Sequence, residues 1–296
     1  MAMKKAVPTV RLRRLASELA RYREQADLTR EEVSSRTGIN TATLYNIEKA
    51  VSRPQARTLV ALLDAYDVKD EASRNELIRL AKESSQAGWL QPFKDELPEA
   101  LTAYLSFEQD ARFLKWYESL FIPGLLQTER YARAVIAGAT PVADDDYVES
   151  RVQARMQRKR VLEGPDPLRL WVVVDEAAIT REAGGRDVMV EQLDHLAAMA
   201  KLPNITLQVV TFDKGAHSGM PGSFVMMDFD DPYPQLIHIE SMAGNLFLEK
   251  DEELRRFESI FTHLVADAKS PDDSARHVRT VMGRMKARRT TSDESR

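Results

Sequence analysis

At 296 residues the chain has room for two ordinary domains, and its composition, 43% hydrophobic and 30% charged, is that of a folded globular protein. Cysteine is absent, which excludes disulfides, thiolate nucleophiles and cysteine-bound zinc. No apolar run approaches the roughly 18 residues of a membrane helix, and the opening MAMKKAVPTVRLRR lacks the apolar stretch of a secretory signal, so a cytoplasmic protein is expected. The net charge of -4 is unevenly spread. Residues 1–82 hold 16 Lys and Arg against 11 Asp and Glu, a balance of +5, and the remainder hold 26 against 35, a balance of -9. Only the front half is expected to meet a polyanion.

Leu12, Leu15, Leu19 and Tyr22 recur at helical spacing, with Arg11, Arg13, Arg14, Arg21 and Arg23 interleaved. This predicts an amphipathic first helix that ends at Asp27-Leu28. Thr29-Arg30-Glu31-Glu32 reads as a capping box opening a second, short helix, which Thr37-Gly38 stops. Gly38-Ile39-Asn40 forms a turn, and a third helix is predicted from about Thr41 to Lys49. Two short helices joined by a tight glycine turn form a helix-turn-helix, whose second helix enters the major groove of DNA.

Within the third helix Leu44 and Ile47, with Val33 and Ile39, are predicted to point inward, and Thr41, Ala42, Tyr45 and Asn46 outward. An amide, a hydroxyl and a methyl group are the chemistries that read base edges. Arg30 at a helix start and Arg53 just past the third helix are the candidate phosphate contacts. Pro54 is expected to open a fourth helix carrying Leu59, Leu62, Leu63 and Tyr66, and a fifth is expected to turn Leu77, Ile78 and Leu80 inward. Leu28-Thr29, Val33, Gly38-Ile39, Leu44, Ile47-Glu48, Pro54 and Leu59 through Tyr66 resemble the lambda-repressor/Cro-like (XRE) helix-turn-helix family over about residues 9–83. By that resemblance Thr41, Ala42 and Asn46 fall where the family reads bases, and Arg30, Thr43 and Arg53 where it holds phosphates. Two positions depart from the pattern: Ala50 stands where the family usually has glycine, and Ser34 where it has alanine.

Residues 84–98, with two prolines, Trp89 and Phe93, read as a linker. Beyond it a long helix is expected from Glu99 to Tyr117, another from Thr128 to Ile136, and a basic one over 148–164, whose Arg151, Arg155, Arg158, Lys159 and Arg160 are expected to face solvent or a partner. Apolar runs at Leu168–Val174, Ile205–Phe212, Phe224–Phe229, Leu236–Ile239 and Asn245–Leu248 read as strands, with helices over Val188–Leu202, Glu252–Ala268 and Ser270–Arg289. The expected fold class is therefore α+β: an all-α five-helix DNA-binding domain (1–83), a linker (84–98), a larger mixed α/β domain (99–289) and a disordered tail (290–296).

The strings YESLFIPGLLQTERYARA, VESRVQARMQRKRVL, VVVDEAAITREAGG and ITLQVVTFDKGAHSGMPGSFVMMDF, in that order, resemble the C-terminal domain of actinobacterial WhiJ-like, toxin–antitoxin-like transcriptional regulators over roughly residues 95–275. The resemblance implies a regulator whose larger domain binds a small protein encoded nearby. The alternative is a small-molecule effector held near Trp171, Phe212, Phe224 and Met226. Catalysis is not expected. His238-Ile239-Glu240 is half of a zinc deaminase signature whose cysteines are missing; Asp175-Glu176 reads as a helix cap; and His217-Ser218-Gly219 suits a turn better than a triad. No cofactor or metal is expected. A homodimer on a palindromic duplex operator is expected, because one small recognition helix reads few bases.

Overall fold

The computed structural model describes residues 9–83, 93, 96–140, 144–230, 234–242 and 244–293. The chain forms two compact units that divide between residues 107 and 108. Most of the expected linker, including Trp89, lies outside the described residues, while Phe93 is buried.

The first unit opens with five helices: α1 (Val10–Gln25), α2 (Arg30–Thr37), α3 (Thr41–Glu48), α4 (Ala56–Ala65) and α5 (Glu71–Glu83). Leu15, Leu19, Val33, Leu44, Ile47, Leu59, Leu62, Leu63 and Leu77 share one core. Each such side chain contributes roughly 1.5–3 kcal/mol by leaving water. The capping box at Thr29 is formed: its hydroxyl accepts from the Glu32 N–H at 3.2 Å, and the Glu32 carboxylate accepts from the Thr29 N–H at 2.8 Å. Gly38 caps α2 in the left-handed region at φ 71°. Two expectations shift. The fourth helix begins at Ala56, behind a Gln55 cap, and leaves Pro54 buried in the preceding loop. Ile78 is exposed, because one step from buried Leu77 rotates a side chain about 100° around the helix.

Helices α1, α3 and α4 end alike. Asp27, Ala50 and Asp67 take φ near +56°, the conformation glycine usually supplies. The next residue's N–H then reaches back to a carbonyl of the last turn: Leu28 to Arg23 at 3.1 Å, Val51 to Asn46 at 2.8 Å, and Val68 to Leu63 at 3.0 Å. At Ala50 this explains why a glycine suits the position. Its Cβ is nonetheless used, packing with Leu12 and Ala16.

α6 (Glu99–Asp110) leads into the second unit, built on a six-stranded sheet ordered β3-β2-β1-β4-β5-β6. The strands are β1 (Phe113–Glu118), β2 (Arg169–Asp175), β3 (Ile205–Val210), β4 (Phe224–Asp228), β5 (Leu236–Ser241) and β6 (Gly244–Leu248). β1, β2 and β3 run parallel; β4, β5 and β6 continue antiparallel from the other side of β1. The parallel strands are joined through α7 (Glu129–Ala139) and α8 (Asp145–Arg158), then α9 (Glu176–Thr180) and α10 (Arg186–Met199), as parallel pairing demands. α11 (Asp251–Asp267) and α12 (Pro271–Asp293) close the unit. The mixed α/β architecture expected for this half is present.

β1 corrects the expected long helix. Residues 113–117 lie in the middle of the sheet, where aromatic Phe113, Trp116 and Tyr117 fit a pleated surface better than a helix. The row Tyr117, Val173, Phe224, Met226 and Ile237 packs under Phe261 and Leu264 of α11. Trp171 meets Phe261 edge-on, with ring centroids 5.6 Å apart. Three of the four residues named as a candidate pocket therefore pack around this core, and the fourth, Phe212, is exposed. The opposite face (Leu114, Leu170, Val172, Val174, Leu207, Val209) is buried as well, as in sheets covered on both sides. The edge of β3 is blunted by the start of α12, where Ser274 Oγ accepts from the Val209 N–H at 2.9 Å. The expected disordered tail is corrected in part, since α12 continues to Asp293; residues 294–296 lie outside the described residues.

Among the described residues the Asp67 side chain makes one contact, an exposed ion pair with Lys69. Asp67→Gly removes the left-handed strain and is expected to stabilise the protein by roughly 0.5–1 kcal/mol, read as a higher midpoint in urea denaturation.

Candidate nucleic-acid interface

α3 is held by a buried carboxylate at its last residue. The Glu48 side chain is 2% exposed, and Arg23 of α1 donates to it through Nε at 2.7 Å and Nη2 at 3.3 Å. Arg30, the first residue of α2, donates through Nε at 2.8 Å, and its Nη2 lies 2.6 Å from the same carboxylate as an ion pair. Arg23 also donates to the Leu28 carbonyl at 2.8 Å, and the Glu48 carboxylate holds its guanidinium above the usual arginine value. One anion thus fastens three helices. The phenol of Tyr66 is pushed up to about 12, first by burial and then by the charge of Glu48.

With this end fixed, Leu44 and Ile47 face the core and the other side of α3 is open. Ala42 and Tyr45 are exposed; Thr41, Thr43 and Asn46 are half-buried. Asn40 caps the helix, its side-chain oxygen accepting from the Ala42 N–H at 2.8 Å. The carbonyl of Asn46 accepts from Val51 and Ser52, and among the described residues nothing engages its side-chain amide. Arg30 lies with its guanidinium carbon 5.4 Å from the centre of the Tyr45 ring. Of the residues picked from sequence, Arg30 and Tyr45 come together beside Glu48, and Thr41, Ala42 and Asn46 share the open side. Arg53 is half-buried in the loop after α3, where desolvation lowers its pKa. Sequence reading missed Arg23 and Glu48 as a structural pair; Glu48 stood only as part of a matching dipeptide, and a lone acid after an apolar residue gives no sign of burial.

In the second unit the carboxyl ends of the parallel strands gather polar groups. Asp175 caps α9, accepting from the Ala177 N–H at 2.8 Å, in agreement with the helix-cap reading, and its other oxygen lies 3.2 Å from His217 Nε2. His217 Nδ1 accepts from the Gly219 N–H at 3.2 Å. Both ring nitrogens are therefore engaged, and Ser218 Oγ donates elsewhere, to the Ile260 carbonyl at 3.2 Å. His277 Nε2 lies 2.9 Å from Glu176, joining α12 to α9. His238 is buried, with Nε2 2.6 Å from the Asn245 side-chain oxygen, and burial lowers its pKa.

On the other face, at the end of β1, Glu118 is bonded by the Ser223 hydroxyl and by Trp116 Nε1 at 3.3 Å. Burial pushes its carboxyl up, against those hydrogen bonds. Among the described residues no group of three or more His, Cys, Asp or Glu could hold a metal ion, and no helix is long and apolar enough to cross a membrane.

Two family models match the chain: a helix-turn-helix domain over residues 14–77 and a domain of unknown function (DUF5753) over residues 101–280. No curated protein and no solved structure matches it.

Glu48→Ala removes the carboxylate that Arg23 and Arg30 share, leaving Arg23 only exposed Glu24 and the Leu28 carbonyl, and is expected to cost about 1.5–3 kcal/mol, measured as the loss in unfolding free energy. Glu118 titrates higher folded than unfolded, so the stability it contributes is full below its ordinary value of 4.5 and falls as pH rises through the folded value. Glu118→Gln does not titrate; its melting temperature relative to wild type is expected to climb between pH 4.5 and pH 8, and a constant difference would show that the carboxyl is not desolvated.

Proposed function

The chain belongs to the DUF5753 family and carries a helix-turn-helix domain, and on that premise we propose that it is a sequence-specific, DNA-binding transcriptional regulator of the lambda-repressor/Cro-like kind. The observation that carries this reading is the open side of α3, where Thr41, Ala42 and Asn46 sit around exposed Tyr45 on a helix fixed from behind by Glu48. In this reading Asn46 pairs with an adenine edge, Thr41 and Ala42 meet neighbouring bases, and Thr43 and Arg53 touch phosphates. Arg30 contributes to the same strand contact only with the charge that Glu48 leaves uncompensated.

A cytoplasmic homodimer is part of the proposal. A two-fold pair would set two copies of α3 about 34 Å apart, matching successive major grooves of a palindromic operator. The larger domain is read as the half that modulates this binding. The small-protein form of that reading rests on the WhiJ-like resemblance; the guanidinium groups drawn into the fold by α8 favour the small-molecule form.

The test is selection of duplexes from a random pool by the full chain, followed by binding titrations on the selected site. Asn46→Ala is expected to relax preference at one position of each half-site, at roughly 1–3 kcal/mol, whereas Arg53→Ala weakens all sequences about equally and reduces the salt dependence. An Asn46→Ala variant that binds every sequence as wild type does would contradict the orientation of α3, and failure to enrich any sequence would contradict the function.

A further inference from the structure

The basic run on α8, expected from sequence to face solvent or a partner, is turned partly inward. Arg151, Arg155 and Arg158 follow at spacings of four and three, which sets them on one side of the helix. Arg158 is 5% exposed and pairs with Glu108, itself buried, at 3.5 Å. Its guanidinium comes up against Gly124, Nη2 first, and an added Cβ there would stand 1.9 Å from Nη2. Arg155 donates to the side-chain oxygen of buried Gln127 at 3.1 Å, and Lys159 donates to the Gln127 carbonyl at 2.9 Å. Gln127 is fixed in turn, its amide donating to the Ile122 carbonyl at 2.7 Å.

The charges do not balance. Among the described residues no carboxylate comes within ion-pair distance of Arg155; its one hydrogen bond goes to a neutral amide. Desolvation and then repulsion from Arg158 pull its pKa down to about 10, with only partial relief from Glu240 and Glu108. Among the described residues the buried Arg151 Nε has no hydrogen-bond partner, although its guanidinium carbon lies 5.0 Å from the centre of the Tyr147 ring. A desolvated guanidinium without a bonded counter-charge is costly. The planar fork of N–H donors is also the group best shaped to take an oxyanion. The cluster lies beside the segment that follows β1, against Gly124 and Gln127.

We propose that Arg151 and Arg155, with Arg158 behind them and Gln127 as the orienting amide, form a binding site for a small oxyanion, a carboxylate- or phosphate-bearing molecule. The site is independent of the DNA-binding reading. Arg155 supplies the charge, Arg151 the unpartnered N–H, and Gln127 keeps Arg155 aimed.

The experiment is a thermal-shift and calorimetric titration of the full chain with inorganic phosphate and, separately, with citrate, against sodium chloride at equal ionic strength. A saturable rise in melting temperature with phosphate or citrate and not with chloride is expected. A response to phosphate alone assigns the phosphate class, and a response to citrate alone the carboxylate class. Arg155→Gln is expected to weaken that binding at least about tenfold. Arg151→Gln, at a half-exposed position, gives the same reading if Arg155→Gln does not fold, and Arg160→Gln, at an exposed position on the neighbouring turn, is expected to bind as wild type. Equal shifts with chloride, no saturable response in the wild type, or unchanged binding in a folded Arg155→Gln or Arg151→Gln variant would overturn the proposal.

Discussion

A single buried carboxylate organises the DNA-binding half of this protein. Glu48 ends α3 and accepts from Arg23 of α1 and Arg30 of α2, so the helix whose open side we propose to meet DNA is tied to both neighbouring helices. Leu44 and Ile47 set which side of α3 faces inward, but apolar contacts tolerate sliding and rotation. Hydrogen bonds from two guanidinium groups do not. Their directionality fixes the position of α3 along its own axis. The same arrangement changes the meaning of Arg30, which sequence reading treated as a phosphate contact and which is largely committed to Glu48.

Much of this half was legible because its signals are local. A threonine three residues before a glutamate is a capping box whatever surrounds it, and Gly38 can stop a helix because its backbone alone allows φ 71°. The strands of the second half were legible for a similar reason, as apolar runs between turn residues. β1 was not. Ala111, Leu114 and Trp116 can be placed on a helical stripe with the residues of α6, and only the sheet around them, with β2 on one side and β4 on the other, decides for an extended chain. Long-range pairing overrides local periodicity there.

The charged residues were the least legible. Glu48, Arg155 and Arg158 look like the many acids and arginines that sit in water, and charge runs usually do. Burial depends on what folds over them: Gln127 and Gly124 for the α8 arginines, α1 and α2 for Glu48. The two halves use buried charge differently. In the first, one carboxylate is bonded directly by both guanidinium groups and ties three helices together. In the second, Arg158 has a carboxylate partner and Arg155 is bonded only to a neutral amide.

The claim on which the account rests is that the open side of α3 meets DNA. Amide hydrogen exchange of the full chain, free and saturated with a selected duplex, tests it most directly. The account predicts added protection concentrated in Arg30–Val33, Thr41–Asn46 and the loop through Arg53. Protection confined to residues beyond 107, or none in α3 while the duplex is bound, would contradict it.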